Sequence, residues 1–208
     1  MILCDVEFEL PKGPVGILCS GGADSSLVLY LLMKYSKHPI HIFTLNNQNK
    51  HFVNSVLLNN IIKWCVEQTN NHNIVHHVSY APAHNAKNLY NMPFVMLKNK
   101  LIDNLYIGDT AWPPKEVNQH FASNGNDIVQ TKADRDPNKL RPTHWKSFYL
   151  PFTNYSKKII AEIYRSENIM ELFQLTRSCE SLEEIGTQHC GKCWWCQERM
   201  WAFNLTSV

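Results

Sequence analysis

The stretch Cys19-Ser20-Gly21-Gly22-Ala23-Asp24-Ser25-Ser26 concentrates hydroxyls, a carboxylate and two adjacent glycines in one short segment. Val15 to Cys19 is an apolar run that reads as a buried strand. Leu27, Val28, Leu31 and Leu32 recur at helical spacing, so a helix follows at once. A glycine pair between strand and helix lets backbone N–H groups turn toward an anion. The helix N-terminus adds partial positive charge, and the serine hydroxyls add donors. That is the chemistry of a phosphate cradle. It is not the Walker form, because no G-x-x-x-x-G-K-[ST] is present. A plain Gly-Gly turn before a capped helix is the simpler reading, and the strand-loop-helix order favours the cradle over it.

A second concentration lies near the C-terminus, Cys179-x10-Cys190-Gly191-Lys192-Cys193-Trp194-Trp195-Cys196. Four thiolates at this spacing close a tetrahedral site around Zn²⁺. Gly191 suits the tight turn, and Lys192 offsets the negative charge of four thiolates. With every position filled by protein, such a site is structural. The rival is an iron–sulfur cluster, since Cys-x2-Cys-x2-Cys also occurs in ferredoxin-like runs. Here the fourth cysteine lies upstream and no Cys-Pro follows, which favours zinc. The chain has seven cysteines, an odd count that points to metal ligands rather than disulfides. Cys4, Cys19 and Cys65 read as small buried hydrophobes.

The elements that must position these groups follow from periodicity. The 208 residues, 44% apolar and 18% charged, suffice for one packed α/β domain with a small appendage. Ile40 to Leu45, Ile74 to Val78 and Leu105 to Gly108 read as further strands, with helices through Val53 to Trp64 and Leu89 to Leu101. Pro93 leaves the first turn of the latter undefined. This alternation predicts a doubly wound parallel sheet, with ligands beyond the carboxyl ends of the strands. Loops 20–26, 46–51 and 109–114 converge there. Asp109, at a strand end, fits Mg²⁺, a substrate contact or a simple helix cap. From Trp112 to Trp145 the composition is that of a solvated surface loop or a lid, with Lys132 to Arg141 highly charged. Ser156 then caps a helix through Ile159, Ile160, Ile163 and Tyr164. A net charge of +2 gives no strong basic field for nucleic acid. No apolar run approaches the ~20 residues of a membrane span, and the N-terminus does not read as a signal peptide, so a cytoplasmic protein is expected.

Ser20-Gly21-Gly22-x-Asp24-Ser25 resembles the PP-loop of the ATP pyrophosphatases, which cleave ATP between the α- and β-phosphates. Combined with the four cysteines, it resembles the 7-cyano-7-deazaguanine synthase family. The likeness extends to Leu150-Pro151-Phe152, Ser156-Lys157-Lys158-Ile159-Ile160, Leu175-Thr176-Arg177-Ser178-Cys179, and Gln197, Arg199 and Phe203 after the last cysteine. In the middle it departs. The family's Gln-Arg-His is Asn49-Lys50-His51 here, and Asp109 to Lys115 replaces its Tyr-Pro-Asp-Cys-Arg segment.

The resemblance implies an adenine nucleotide alpha hydrolase-like fold over residues 1–170, with a Cys4 zinc segment, 171–208, packed on it. It implies catalytic Ser20, Asp24 and Ser25, and ATP held by Ser20 through Ser26 with His51. Mg²⁺ and one structural Zn²⁺ are the expected ions, the latter on Cys179, Cys190, Cys193 and Cys196. The implied reaction is ATP-dependent conversion of 7-carboxy-7-deazaguanine and ammonia to the nitrile, by a homodimer with no membrane or nucleic-acid partner. For the substrate, Asp109 and Trp112 are expected to line the base pocket, with Trp112 stacked on the ring and Arg177 meeting the carboxylate. Two other readings stay open. One is a PP-loop enzyme that adenylates a tRNA base for thiolation. The other is a zinc module binding single-stranded RNA through Trp194, Trp195 and Trp201, for which packing around the metal is the plainer role of those rings.

Overall fold

The computed structural model describes residues 1–47, 54–81, 86–122, 135–179 and 189–207. In chain order the elements are β1 (Ile2–Leu3), β2 (Val6–Glu7), β3 (Val15–Leu18), α1 (Ala23–Tyr35), β4 (Ile40–Asn47), α2 (Asn54–Thr69), β5 (Ile74–Ala81) and α3 (Ala86–Lys98). Then come β6 (Asn104–Ile107), α4 (Lys115–Ala122), β7 (His144–Trp145), β8 (Phe148–Tyr149), α5 (Lys157–Ser166), α6 (Met170–Leu175) and α7 (Trp194–Phe203).

Every residue of β3 is buried, as a strand covered on both faces must be. It pairs in parallel with β4 on one side and β6 on the other, in a sheet ordered β5-β4-β3-β6-β8-β7. β5 and β8 continue the parallel set, and only β7 at the edge is antiparallel. Alternate residues feed opposite faces. Val15, Ile17, Ile40 and Ile42 join the main core with α1, while Leu18, Phe43 and Leu105 pack with Met96 of α3. Helix α1 is buried almost all round, from Leu27 to Met33, because the sheet lies on one side and other apolar elements cover the rest. Ala202 and Phe203 of α7 belong to this same core, the Phe203 ring stacked 3.8 Å from Phe173.

The chain steps from β3 to β4 to β5 in one direction, then crosses back to place β6 on the far side of β3. Loops after β3 and β6 therefore part at a switch point and leave a crevice between them. Gly108 makes the crevice narrow. A Cβ there would come within 2.7 Å of the Asp24 carbonyl carbon and the Ser25 nitrogen. Backbone cannot yield as a flexible side chain can. Gly108→Ala is expected to destabilise the protein by about 1–3 kcal/mol, the usual range for overpacking, read as a lowered Tm. An unchanged melting curve would show that the loop and helix separate freely.

The four principal strands lie where periodicity put them, with β4 and β5 running on to Asn47 and Ala81. Helix α3 spans Ala86–Lys98 with Pro93 inside it, displaced toward the N-terminus from the expected Leu89 to Leu101, and Lys100 turns into the left-handed region just after it. The stretch expected to be a surface loop holds α4, strand β7 and a buried Arg135, while 123–134 lie outside the described residues. Order arises there because Val117 and Phe121 cover Trp112 and Trp194. Among the described residues, no helix is long and apolar enough to cross a membrane.

Candidate active site and thiolate cluster

At the switch point lies a cleft of about 300 Å³ whose floor is the glycine loop and the first turn of α1. Ser20, Gly22, Ala23, Asp24 and Ser25 line it. Gly21, at φ 81, turns toward α2, and Ser26 is buried. The loop is braced by its own hydroxyls. Ser25 Oγ accepts from the Ser20 N–H at 3.3 Å and donates to the Gly22 carbonyl at 3.3 Å. The Arg177 N–H donates to the Gly21 carbonyl at 2.9 Å, tying the loop to the segment before the cysteines. First-turn N–H groups of a helix have no acceptor within it, so the cradle presents donors to an anion.

Above this floor stands a buried cluster of charge. Lys157, the first residue of α5, sends Nζ to 3.3 Å from Asp24 Oδ2 and 2.6 Å from Glu198 Oε2 of α7. Burial alone would lower the Lys157 pKa, but the two carboxylates outweigh it and hold it above its ordinary value. Burial pushes the Asp24 carboxyl up, with Lys157 opposing. Asp24 Oδ1 is buried and makes no hydrogen bond among the described residues. An uncommitted carboxylate oxygen in a phosphate cradle fits a hard divalent cation such as Mg²⁺.

The expected substrate residues separate. Asp109 lines the cleft, but its oxygens are held by Arg135 at 3.3 Å and Arg141 at 3.2 Å. Arg177 also lines it. Trp112 does not border the cleft. Its ring is covered by the Arg135 guanidinium at 3.9 Å and meets Trp194 edge-on at 4.8 Å, so its faces are taken up by packing. The aromatic side chain at the cleft is Trp195. Trp194, 2% exposed, is enclosed by Trp112, Phe121 and Trp195, and its Nε1 donates to Asn118 Oδ1 at 2.9 Å. It is a buried core ring and not a surface platform. His51 lies outside the described residues.

Arg135 at the cleft and Glu198 behind it carry no site signal in the sequence, and Lys157 and Trp195 enter there only through the family likeness and as a stacking ring for RNA. By its own spacing Ser156-Lys157-Lys158 marks a helix start, and Arg135 stands in a charged run that looks solvated. Nothing local marks Glu198.

Cys179, Cys190, Cys193 and Cys196 converge with all four sulfurs within 4.8 Å of one another. The Cys190–Cys196 and Cys193–Cys179 sulfurs are each 4.0 Å apart. Tetrahedral Zn–S bonds of about 2.3 Å require sulfurs roughly 3.8 Å apart, close to this spacing. A four-iron core would hold its cysteines farther apart by its own width. N–H groups of Lys192 and Cys193 point at Cys190 Sγ at 3.5 and 3.3 Å, around Gly191 at φ 68. The turn thus wraps one sulfur and offsets its charge. The donor set fits a single soft-liganded ion. Cys179 also lines the cleft, so this cluster forms part of its wall. Cys19 and Cys65 are buried in the main core as expected, and burial raises the Cys19 thiol to about 11.

The family model for asparagine synthase matches residues 11–80, the stretch holding β3, the glycine loop, α1, β4, α2 and most of β5. With the strand order, this decides the fold. It is the PP-loop, adenine nucleotide alpha hydrolase-like α/β fold. Among solved structures, the U34-tRNA thiolase NcsA from Methanococcus maripaludis, with its [4Fe-4S] cluster, is 18% identical at TM-score 0.43. The match covers 77% of this chain and 58% of the thiolase chain, so this chain spans under two thirds of that length. NMN synthetase from Francisella tularensis is 13% identical at TM-score 0.47, over 93% of this chain and 78% of that one. No curated protein matches the chain significantly.

Proposed function

We propose that this PP-loop protein is an ATP-dependent adenylating enzyme that activates a carboxylate, with 7-carboxy-7-deazaguanine as substrate and the 7-cyano compound as product. The observation that carries the adenylating reading is Asp24 Oδ1, buried and uncommitted, on the floor of a hydroxyl- and amide-lined cradle beside Lys157. The deazaguanine reading rests on the sequence resemblance.

The substrate carboxylate attacks the α-phosphorus of ATP, and the bond to the bridging oxygen of pyrophosphate breaks. Ser20, Ser25 and the first-turn amides of α1 receive the departing pyrophosphate, and Lys157 faces its growing charge. Asp24, through its uncommitted Oδ1, would hold Mg²⁺, which when bound would neutralise charge on the phosphates. Arg177 and Trp195 line the cleft; in this reading Arg177 orients the attacking carboxylate and Trp195 gives a planar ring an aromatic wall. Ammonia then adds to the acyl carbon and expels AMP, leaving an amide after loss of a proton. A second ATP adenylates the amide oxygen, and loss of AMP with a proton leaves the nitrile. The four cysteines would hold one structural Zn²⁺ in this reading, which would anchor the start of α7.

Incubation with ATP, Mg²⁺, ammonium and 7-carboxy-7-deazaguanine, with products read by mass spectrometry, should show AMP, pyrophosphate and the nitrile. ADP and phosphate would overturn the adenylating reading. AMP formed only with another carboxylate, or only with tRNA and a sulfur donor, would keep that reading and overturn the substrate.

A further inference from the structure

Glu198 is outside the cleft lining, yet its side chain is 0% exposed and its Oε2 makes the shortest contact of the charged cluster, 2.6 Å from Lys157 Nζ. The same ammonium is 3.3 Å from Asp24 Oδ2. A fully buried carboxylate and a half-buried one therefore share one lysine, and Asp24 Oδ1 and Glu198 Oε1 make no hydrogen bond among the described residues. One lysine with one carboxylate would be a neutral pair. The second carboxylate leaves a net negative charge in a low-dielectric site, unfavourable unless another cation joins. Of the neighbouring cations, Arg199 is engaged with Thr176 Oγ1 and the Phe173 carbonyl, Arg135 with Asp109 and Thr110, and Arg177 lines the same cleft. None of them hydrogen-bonds Asp24 Oδ1. Because the shorter bond goes to Glu198, the ammonium sits closer to the α7 carboxylate than to Asp24.

We propose that Glu198 is a positioning residue that holds the Lys157 ammonium so that Asp24 keeps one oxygen for the divalent cation accompanying pyrophosphate. Without Glu198, Lys157 closes on Asp24 as a neutral pair and the cation loses its anchor. The inference rests on the proposed role of the cradle. It adds that α7, whose first turn carries Cys196, sets the cation affinity of a loop far away in sequence.

The test measures Mn²⁺ binding by electron paramagnetic resonance, with inorganic pyrophosphate present, on protein whose thiolate site is loaded. Glu198→Gln should weaken Mn²⁺ binding by about ten- to a hundredfold, the scale seen for residues that orient metal ligands. Glu198→Leu, which leaves no polar group to satisfy, should do the same and covers the case in which the glutamine variant fails to fold. In an Asp24→Asn background, either substitution should add little, because its effect passes through Asp24. Wild-type affinity in the Glu198 variants, or an equal loss in the Asp24→Asn background, would overturn the proposal. Wild-type protein that binds neither Mn²⁺ with pyrophosphate nor ATP would instead overturn the cradle's proposed function.

Discussion

Asp24→Ala lowers AMP formation by roughly a thousandfold or more while the protein stays folded, if the cradle works as proposed. The carboxylate is the anionic side chain with an uncommitted oxygen on the cleft floor, and its removal takes away the anchor for the phosphate-bound cation. Folding survives because Lys157 keeps Glu198 at 2.6 Å, a neutral buried pair. The contrasting variant is Lys157→Met, which strands Asp24 and Glu198 together without a cation. Breaking a buried ion pair this way costs about 3–5 kcal/mol, so that variant loses stability as well as activity. A pyrophosphate-release assay and thermal melts on both proteins check the pair of outcomes. Wild-type rates in Asp24→Ala would place the reacting phosphates elsewhere. A Lys157→Met protein as stable as wild type would show that the two carboxylates do not depend on the lysine.

The second large effect concerns the thiolate cluster. Replacing Cys196 by serine should cost most of one metal equivalent and lower the melting temperature sharply. Structural zinc contributes apparent binding energies of about 10–16 kcal/mol in small zinc modules, so losing one thiolate removes a considerable share of what holds this corner. The damage reaches the main core. Cys193 is the N-cap of α7 and Cys196 lies in its first turn, while Ala202 and Phe203 at its other end pack among the core residues. Metal analysis should find about one zinc per chain, and a chelator should reproduce the serine variant's melting curve. An unchanged melting curve would contradict a structural role. A brown protein with iron and inorganic sulfide would transfer the site to the iron–sulfur reading.

Both features were legible before any fold was known, for one physical reason. The cradle is built from contiguous residues, so a glycine pair between a strand and a helix nearly specifies its own shape. Three of the four cysteines sit within one turn and the start of one helix, and their spacing alone implies a shared ion. The parallel order of β3, β4 and β6 likewise follows from strands alternating with helices, since parallel strands need crossovers of that length.

Charge placement depended on tertiary structure. Lys157, Glu198, Arg135 and Asp24 come from four separate parts of the chain, and nothing in their own neighbourhoods distinguishes a buried ion-paired lysine from a solvated one. Arg135 is the clearest case. Its local sequence is that of an exposed loop, but Trp112 and Thr110 receive its side chain and remove it from water. Trp112 went the other way. Its position after a strand marked it as a ring for stacking on a ligand, but α4 and α7 bring Phe121 and Trp194 against it, and the cleft meets Trp195 instead. Local spacing determined the loop and the thiolate ligands. Long-range packing decided which charges face the cleft, because burial and pairing are properties of what surrounds a side chain and not of the residue itself.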